Sequence, residues 1–542
     1  MQANASTEKT PAMNVAGESQ LAIHVEWLAD AQDANSEEHK LGFWTAMRIY
    51  RKSVLWSVAV STALFMDAFD TIIMGNLYGQ PAFRERYGVL GKSGSYQVPS
   101  PWQIGLNNGS SCGQLIGLLL SGYATERFGF RKTMATGLAT SIGLIFILFF
   151  APNLKVLEVG QVLFGIPLGL FQTIPVVYAA EIAPGSLKPY LTTYVNSCWA
   201  IGHLIGAGVF RGCLTMDNQW AYKIPFAIQW VWPTILLPLL WFAPESPWWL
   251  VRCGRLEEAK SVLRSLASNS EEGLDADKSV ALMAVTIDYE RTVNSQTSYR
   301  ACFKGIDLRR TLVVIVIYCI QTLSGNSLRS YSTYFMEQAG FPSKEAANLT
   351  VINYALALIG GFVAWVLLPL FGRRPIYVWS LAAMFLLMVL IGGLGIPQAK
   401  SDNKSYSWAI GALLIISSFL YNATMGPLTN TLCAEIPSTI LRSKSVVLAR
   451  WVYTVTSIIA GVFTPYQLNP TAWNWGAKTG FFWAVACFLS FVFSFFCVPE
   501  TKDRSSAEMD ILFDRKTSAR HFQDVTIDLT EAVIEKTDGG KN

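Results

Sequence analysis

Two aspartates, Asp67 and Asp70, stand three residues apart in the stretch FMDAFDTIIMG, inside an apolar run that begins at Val54. Three-residue spacing puts them on roughly one face of a helix. A carboxylate is costly there, because a charge taken out of water loses its hydration. In a membrane-like run such groups mark ion or substrate pathways by default. The chemistry they offer is reversible protonation: a carboxyl group removed from water, beside a second one, favours its neutral form. It could take a proton on one side of a barrier and release it on the other. The alternative is a pair of structural aspartates satisfied by backbone donors or a basic partner.

Two arginines could share that chemistry. Arg450, in SVVLARWVYT, could pair with an aspartate, or snorkel to lipid headgroups from the end of its span. Arg329, in SGNSLRSYSTYF, could meet an anionic or carbonyl-bearing substrate or a carboxylate of an outer gate, or snorkel at the opposite interface. His203 could join proton transfer, though a lone histidine in a glycine-rich span reads first as a packing donor. Tyr331, Tyr334, Trp199, Trp451 and Tyr453 could form aromatic walls of a binding site, or simply pack.

The elements that hold these residues follow from composition. The chain has 542 residues, 51% hydrophobic and 15% charged. Soluble domains carry about 25% charge, so most of this chain is solvated by lipid. The net charge of +4 is small and says nothing specific about partners, and no nucleic acid is expected among them. Nine cysteines and four histidines show neither disulfide nor metal-ligand spacing, and no Walker loop occurs, so no metal or cofactor is expected and an enzyme reading starts weak. Apolar runs of about 20 residues, enough to cross a bilayer, fall at roughly 54–78, 102–124, 133–151, 155–180, 192–211 and 224–243. After a polar stretch they resume at roughly 311–336, 346–370, 375–396, 407–432, 444–466 and 479–498. The expected architecture is an all-α membrane protein of twelve spans. It divides into a cytoplasmic, disordered tail (1–50), a six-helix bundle (51–243), a cytoplasmic linker with short helices (244–305), a second six-helix bundle (306–500) and a polar cytoplasmic tail (501–542). Basic residues concentrate in alternate short loops, which places both termini in the cytosol. The sequon at Asn403 falls in an outer loop and is a candidate glycosylation site.

The halves repeat. ERFGFRK follows the second run and FGRR the eighth; YAAEIAPGSLK closes the fourth and CAEIPSTILR the tenth; PESP ends the sixth and VPET the twelfth. Duplicated six-helix units build transporters, with substrate held near the midplane between them.

These motifs, with PESPWWLVRCGR, QTLSG and VPETK, resemble the sugar porter family of the major facilitator superfamily over about residues 45–505. MDAFDT and CWAIGHLIGAGV look most like fungal maltose and α-glucoside permeases. The resemblance implies the major facilitator fold, a plasma-membrane location and import of maltose-like α-glucosides with protons by alternating access. A facilitator or exporter of another polyhydroxylated metabolite is the alternative; a sensor or an enzyme fits less well. By resemblance Asp70 matches the family's proton-coupling acid and Asp67 a second acid of the α-glucoside permeases. The sugar ligands map onto Asn196, Gln321, Asn326, Ser327, Asn353 and Asn430, with Tyr331 and Tyr453 beside them. Glu126, Arg127, Arg131, Glu181, Arg373, Arg374, Glu435 and Arg442 map onto the cytoplasmic gate. The pattern is incomplete: Gln161 stands where the family usually has arginine, Gln114 where related permeases often have glutamate, and Pro369 where the second loop motif usually has its acidic residue. The expected partners are therefore a sugar or glycoside, protons and the lipid bilayer.

Overall fold

The computed structural model describes residues 43–90, 96–183, 187–266, 276–281, 283–284, 287, 299–338, 340–400, 404–438, 441–469, 472–502, 506–522 and 525. Asn403 and most of both expected tails lie outside them, as do the side chains of Asn196 and Arg442. Twelve long helical passages run through the described residues: α1 (Arg51–Leu77), α2 (Ser100–Phe128), α3 (Phe130–Phe149), α4 (Leu154–Ile182), α5 (Lys188–Cys213), α6 (Trp220–Phe242), α7 (Gly305–Ser330), α8 (Ser343–Leu370), α9 (Arg373–Gln398), α10 (Lys404–Cys433), α11 (Arg442–Leu468) and α12 (Thr479–Cys497). Ten passages are long and apolar enough to cross a membrane. The other two, α2 and α5, are long enough but carry many Asn, Gln, Ser, Thr and Gly residues. Outward faces stay apolar, with Leu119, Trp241, Phe242, Trp379 and Val485 exposed, as lipid solvation requires.

The chain forms two compact units. One gathers the described parts of 1–58, 178–191 and 243–296. Within it, Ser246 caps the short helix Pro247–Arg252 by accepting the Trp249 N–H. Arg252 and the Ser246 hydroxyl both bind Glu181. Helix Leu256–Leu266 is amphipathic, with Glu257 and Glu258 in its first turn and Arg264 in its last, complementing the helix dipole. These are the short helices expected in the linker.

The second unit holds 59–177, 192–242 and the described residues from 299 onward. Here α2 and α4 approach backbone to backbone. A Cβ added at Gly113 would lie 2.0 Å from the Val162 carbonyl oxygen, and one at Gly165 2.1 Å from that of Ser110. Small residues permit such contact between membrane helices. Gly113→Leu therefore cannot repack locally, and its cost exceeds the about 1–3 kcal/mol of ordinary overpacking. We expect loss of monodisperse protein on detergent extraction; a wild-type melting temperature for this variant contradicts the packing.

Four passages are interrupted: α1 by a turn at Thr62–Ala63, α6 by a turn at Gln229–Trp230, and α7 and α10 by local breaks. In α7, Thr322–Asn326 is wound as a π-turn, and Ser324 and Gly325 are non-helical, Gly325 at φ 83°, a conformation that favours glycine. In α10, Thr424 breaks the helix between Ala423 and Met425. The segment after Lys502 also holds more structure than its polarity suggests. Helix Ser506–Asp514 buries Met509, Leu512 and Phe513 against Val314, Leu432 and Val498, and the Arg310 guanidinium lies 4.4 Å from the Phe513 ring centre. Its apolar residues recur at helical spacing, which gives it one face to bury.

Candidate functional site

The close packing of α2 on α4 brings a cluster of amides to the two aspartates of α1. Both aspartates are buried, Asp67 with no exposed surface and Asp70 with 1%. Asp67 accepts from Gln114 Nε2 at 2.8 Å and from Gln172 Nε2 at 3.0 Å. Asp70 accepts from Gln229 Nε2 at 3.0 Å, Gln161 Nε2 at 3.3 Å and the Ser110 hydroxyl at 3.4 Å. The amide oxygens of Gln161 and Gln229 are themselves buried without a partner among the described residues. An amide carries both donors and an acceptor. Rotated, either could accept from a protonated Asp70 as readily as it donates to the carboxylate. Glutamine in place of the family's usual arginine thus gives a site that serves both charge states.

Arg450 reaches this cluster from α11. Its Nη2 donates to Gln172 Oε1 at 3.2 Å, and its guanidinium lies 5.2 Å from the Tyr453 ring centre. It meets Asp67 through one interposed amide, and this chain of bonds links helices of the two sequence halves. Gln172 and Gln229 were not singled out from the sequence. A signal existed for Gln172, which lies eleven residues after Gln161 and so returns to the same helix face after three turns. Gln229 sits at the end of helix Trp220–Ile228, where no periodicity marks it.

The residues mapped as sugar ligands occupy several places. Asn353 on α8 is fully buried, with neither its amide nitrogen nor its oxygen partnered among the described residues. Buried polar groups left unpaired are rare, and an amide in this state can both donate and accept. Gln321 flanks the break in α7 and accepts from the Tyr421 hydroxyl at 3.2 Å. Asn326 and Ser327 are half-buried on the far side of that break, and Asn430 is exposed on α10. Trp199 and Tyr354 flank His203, with ring centres 6.0 and 5.1 Å from it. Trp451 is 47% exposed and Tyr334 fully buried. Arg329 is only 4% exposed and reaches back to Ser324 across the break; among the described residues it meets no carboxylate.

Tyr331 belongs to a different feature. Its hydroxyl accepts from Asn107, and its ring stacks on Tyr78 at 6.4 Å. Nearby, Arg84 pairs with Glu337, the Thr333 N–H donates to Asn76 Oδ1 at 3.3 Å, and Arg211 binds Asn348. These contacts join first-half to second-half helices at one end of the bundle and close it. Removing one partner of a buried ion pair costs about 3–5 kcal/mol. Arg84→Ala is therefore expected to raise the reactivity of a cysteine placed at the buried Ser332 at least about tenfold, read with a membrane-impermeant maleimide; unchanged labelling contradicts the closure.

Several of the mapped gate residues show bonds within their own halves. Glu181 binds Ser246 and Arg252; Glu435 accepts from Thr501 and lies 3.7 Å from Arg373. The acid of YAAEIAP thus receives a hydroxyl from PESP, and the acid of CAEIPST receives one from VPET, the same device used twice. Glu500 accepts the Arg373 and Arg374 backbone N–H groups at 2.8 and 3.2 Å. Arg127 donates to the Tyr123 hydroxyl, Arg131 lies over the Trp241 ring, and Glu126 is exposed.

A family model described as "Sugar (and other) transporter" matches residues 56–513. The chain belongs to this family. This sugar transporter is 39% identical over 504 residues to a general alpha-glucoside permease of Saccharomyces cerevisiae, covering 92% of this chain and 81% of the yeast protein. It is 38% identical over 513 residues to a maltose permease of the same yeast, covering 93% and 82%. Among solved structures, the inward-open xylose transporter XylE of E. coli superposes with a TM-score of 0.68 at 18% identity, over 84% of this chain and 99% of that one. XylE bound to 6-bromo-6-deoxy-D-glucose, a major facilitator superfamily proton:xylose symporter, gives 0.67 at 19% identity, over 86% of this chain and 99% of that one. The transporter has the sugar-porter fold of the major facilitator superfamily, and its family is one of transporters rather than enzymes.

Proposed function

We propose that this transporter imports maltose-like α-glucosides together with protons by alternating access at the plasma membrane, with both termini cytosolic. The relatedness to yeast α-glucoside and maltose permeases supports the substrate class. The observation that carries coupling is the buried pair Asp67 and Asp70 in a cage of amides, tied through Gln172 to Arg450 of the other half. Asp70 is the proton carrier and Asp67 the group that reports its state to Arg450. Gln321, Asn353 and the half-buried Asn326 and Ser327 form the sugar site, together with Asn196, Asn430 and Tyr453. The closed end carrying Arg84 and Glu337 faces outward, and the basic loop motifs with Arg442 face the cytosol, so the conformation is inward-facing. Residues 51–243 and 306–500 form the two rocking halves around the linker 244–305.

A second reading, facilitated movement or export of another polyhydroxylated metabolite, is favoured by Gln161 and Gln114, which replace charged groups of the family pattern. Purified protein in liposomes, offered mono-, di- and trisaccharides and glycosides, tests the substrate class. We expect α-glucosidic disaccharides to be taken up at least about tenfold faster than monosaccharides; a preference for a non-glucosidic polyol rejects the first reading.

A further inference from the structure

Arg329 is a buried guanidinium with no carboxylate partner among the described residues. Nη1 donates to the Ser324 carbonyl at 3.1 Å and Nη2 lies 3.3 Å from the Ser324 hydroxyl. Ser324 is one of the two non-helical residues in the break of α7. A break exposes backbone carbonyls that a continuous helix would satisfy, and the guanidinium supplies the missing donor. The Ser324 hydroxyl in turn donates to the Gln321 carbonyl at 2.8 Å, so both sides of the break are tied together.

The other face of the guanidinium lies 4.3 Å from the ring centre of Tyr421 on α10, well within cation–π range. The Tyr421 hydroxyl donates to Gln321 Oε1. The contacts therefore close a ring: Arg329 to Ser324, Ser324 to Gln321, Gln321 to Tyr421, and Tyr421 back to Arg329. With its oxygen held by Tyr421, the Gln321 amide keeps its two N–H groups as donors for other partners. The Arg329 carbonyl also accepts from the hydroxyl of Tyr354 at 3.0 Å, the neighbour of the unpartnered Asn353.

We propose that Arg329 is a positioning residue of the sugar site: it braces the break in α7 and, through Tyr421, fixes Gln321 as a donor to a sugar hydroxyl. This rests on the reading that the α7 amides bind a polyol. It accounts for an arginine in a span with no acid to neutralise it, and it makes Tyr421 part of the recognition apparatus.

The test is a double-variant cycle in proteoliposomes with Arg329→Met, Tyr421→Phe and the two combined, reading KM, kcat and the proton-to-sugar ratio. Tyr421→Phe is expected to raise KM about tenfold, the loss of roughly one hydrogen bond, with the proton-to-sugar ratio unchanged. Arg329→Met raises KM at least as much, and the double variant is no worse than Arg329→Met alone, because the two act through one ring of contacts. Arg329→Lys keeps the charge but not the forked grip and behaves like Arg329→Met. Effects that multiply in the double variant, or an unchanged KM in Arg329→Met, overturn the proposal. If Arg329→Met does not fold, Ser324→Ala takes its place in the cycle, with the same two outcomes. Wild-type uptake in the same vesicles separates the two claims. If another polyol is carried instead of an α-glucoside, the substrate reading fails while the cycle, run on that polyol, still decides the role of Arg329; if no polyol is carried, both fail.

Discussion

Asp70→Asn abolishes uphill sugar accumulation while sugar-for-sugar exchange persists. Asparagine is neutral and offers N–H donors, so it imitates the protonated carboxyl in size and bonding. The buried, unpartnered oxygens of Gln161 and Gln229 can accept from it after a simple amide rotation. The variant is therefore held in its proton-loaded form. It still binds sugar and reorients with it, which supports exchange. It has no proton to release, so the empty return step that completes net import fails. We expect net uptake driven by a pH gradient to fall at least about 100-fold, and counterflow to fall less than about threefold, each 1.4 kcal/mol being one factor of ten. Counterflow should also become insensitive to external pH. In the wild type, raising external pH lowers uptake because the proton is a co-substrate, so the difference in pH profile is a second check. Retention of full gradient-driven accumulation removes Asp70 from the coupling path.

The second large effect is at Gln172. Its amide nitrogen binds Asp67 and its oxygen receives Arg450, so one side chain joins the acid of the first half to the cation of the second. Gln172→Leu leaves Asp67 with Gln114 and takes from Arg450 its bond to the first half. A hydrogen bond to an ionised group contributes about 1.5–3 kcal/mol, and two are lost. Gradient-driven uptake should drop about 100-fold, with KM for the sugar nearly unchanged, because the link lies outside the amides that meet the substrate. Arg450→Met should reproduce the defect, and the double variant should be no worse than the worse single one. A raised KM with normal turnover would move Gln172 from the coupling path into the sugar site.

Much of the architecture was legible as hydropathy. Runs of about 20 apolar residues placed the twelve passages, and the helices end within a few residues of those runs. The two least apolar, α2 and α5, were recognisable because their polar residues are small or amide-bearing; Gln114 and Ser110 of α2 turn to the aspartates of α1. The break in α7 was not legible. QTLSGN reads as part of one apolar run, and only the packed bundle shows a π-turn and a glycine at positive φ there. The bond from Arg329 to the Ser324 carbonyl was illegible for the same reason, since that carbonyl is freed only once the helix has broken. Helix Ser506–Asp514 was hidden for a related reason, since a short amphipathic segment in a polar tail gains its stability from the second-half core it covers.

The candidate site divides along the same line. The aspartate pair was visible from cost alone, because a charge in an apolar run needs a reason. The amides around it were half visible: Gln114 and Gln161 stand at family positions, whereas Gln172 and Gln229 are lone polar residues whose roles depend on which helices meet. Tyr331, an aromatic expected at the sugar, has its hydroxyl bonded by Asn107 and its ring stacked on Tyr78, contacts that depend on which helices meet and so carry no mark in the sequence.

The most direct test of proton coupling follows sugar and proton together in proteoliposomes with an acidic exterior. Labelled α-glucoside and an internal pH dye are read in the same vesicles. The account predicts sugar accumulating above its external concentration, proton entry in step with it, and loss of both on adding an uncoupler. Sugar that only equilibrates, with no proton entry and no response to the uncoupler, contradicts it.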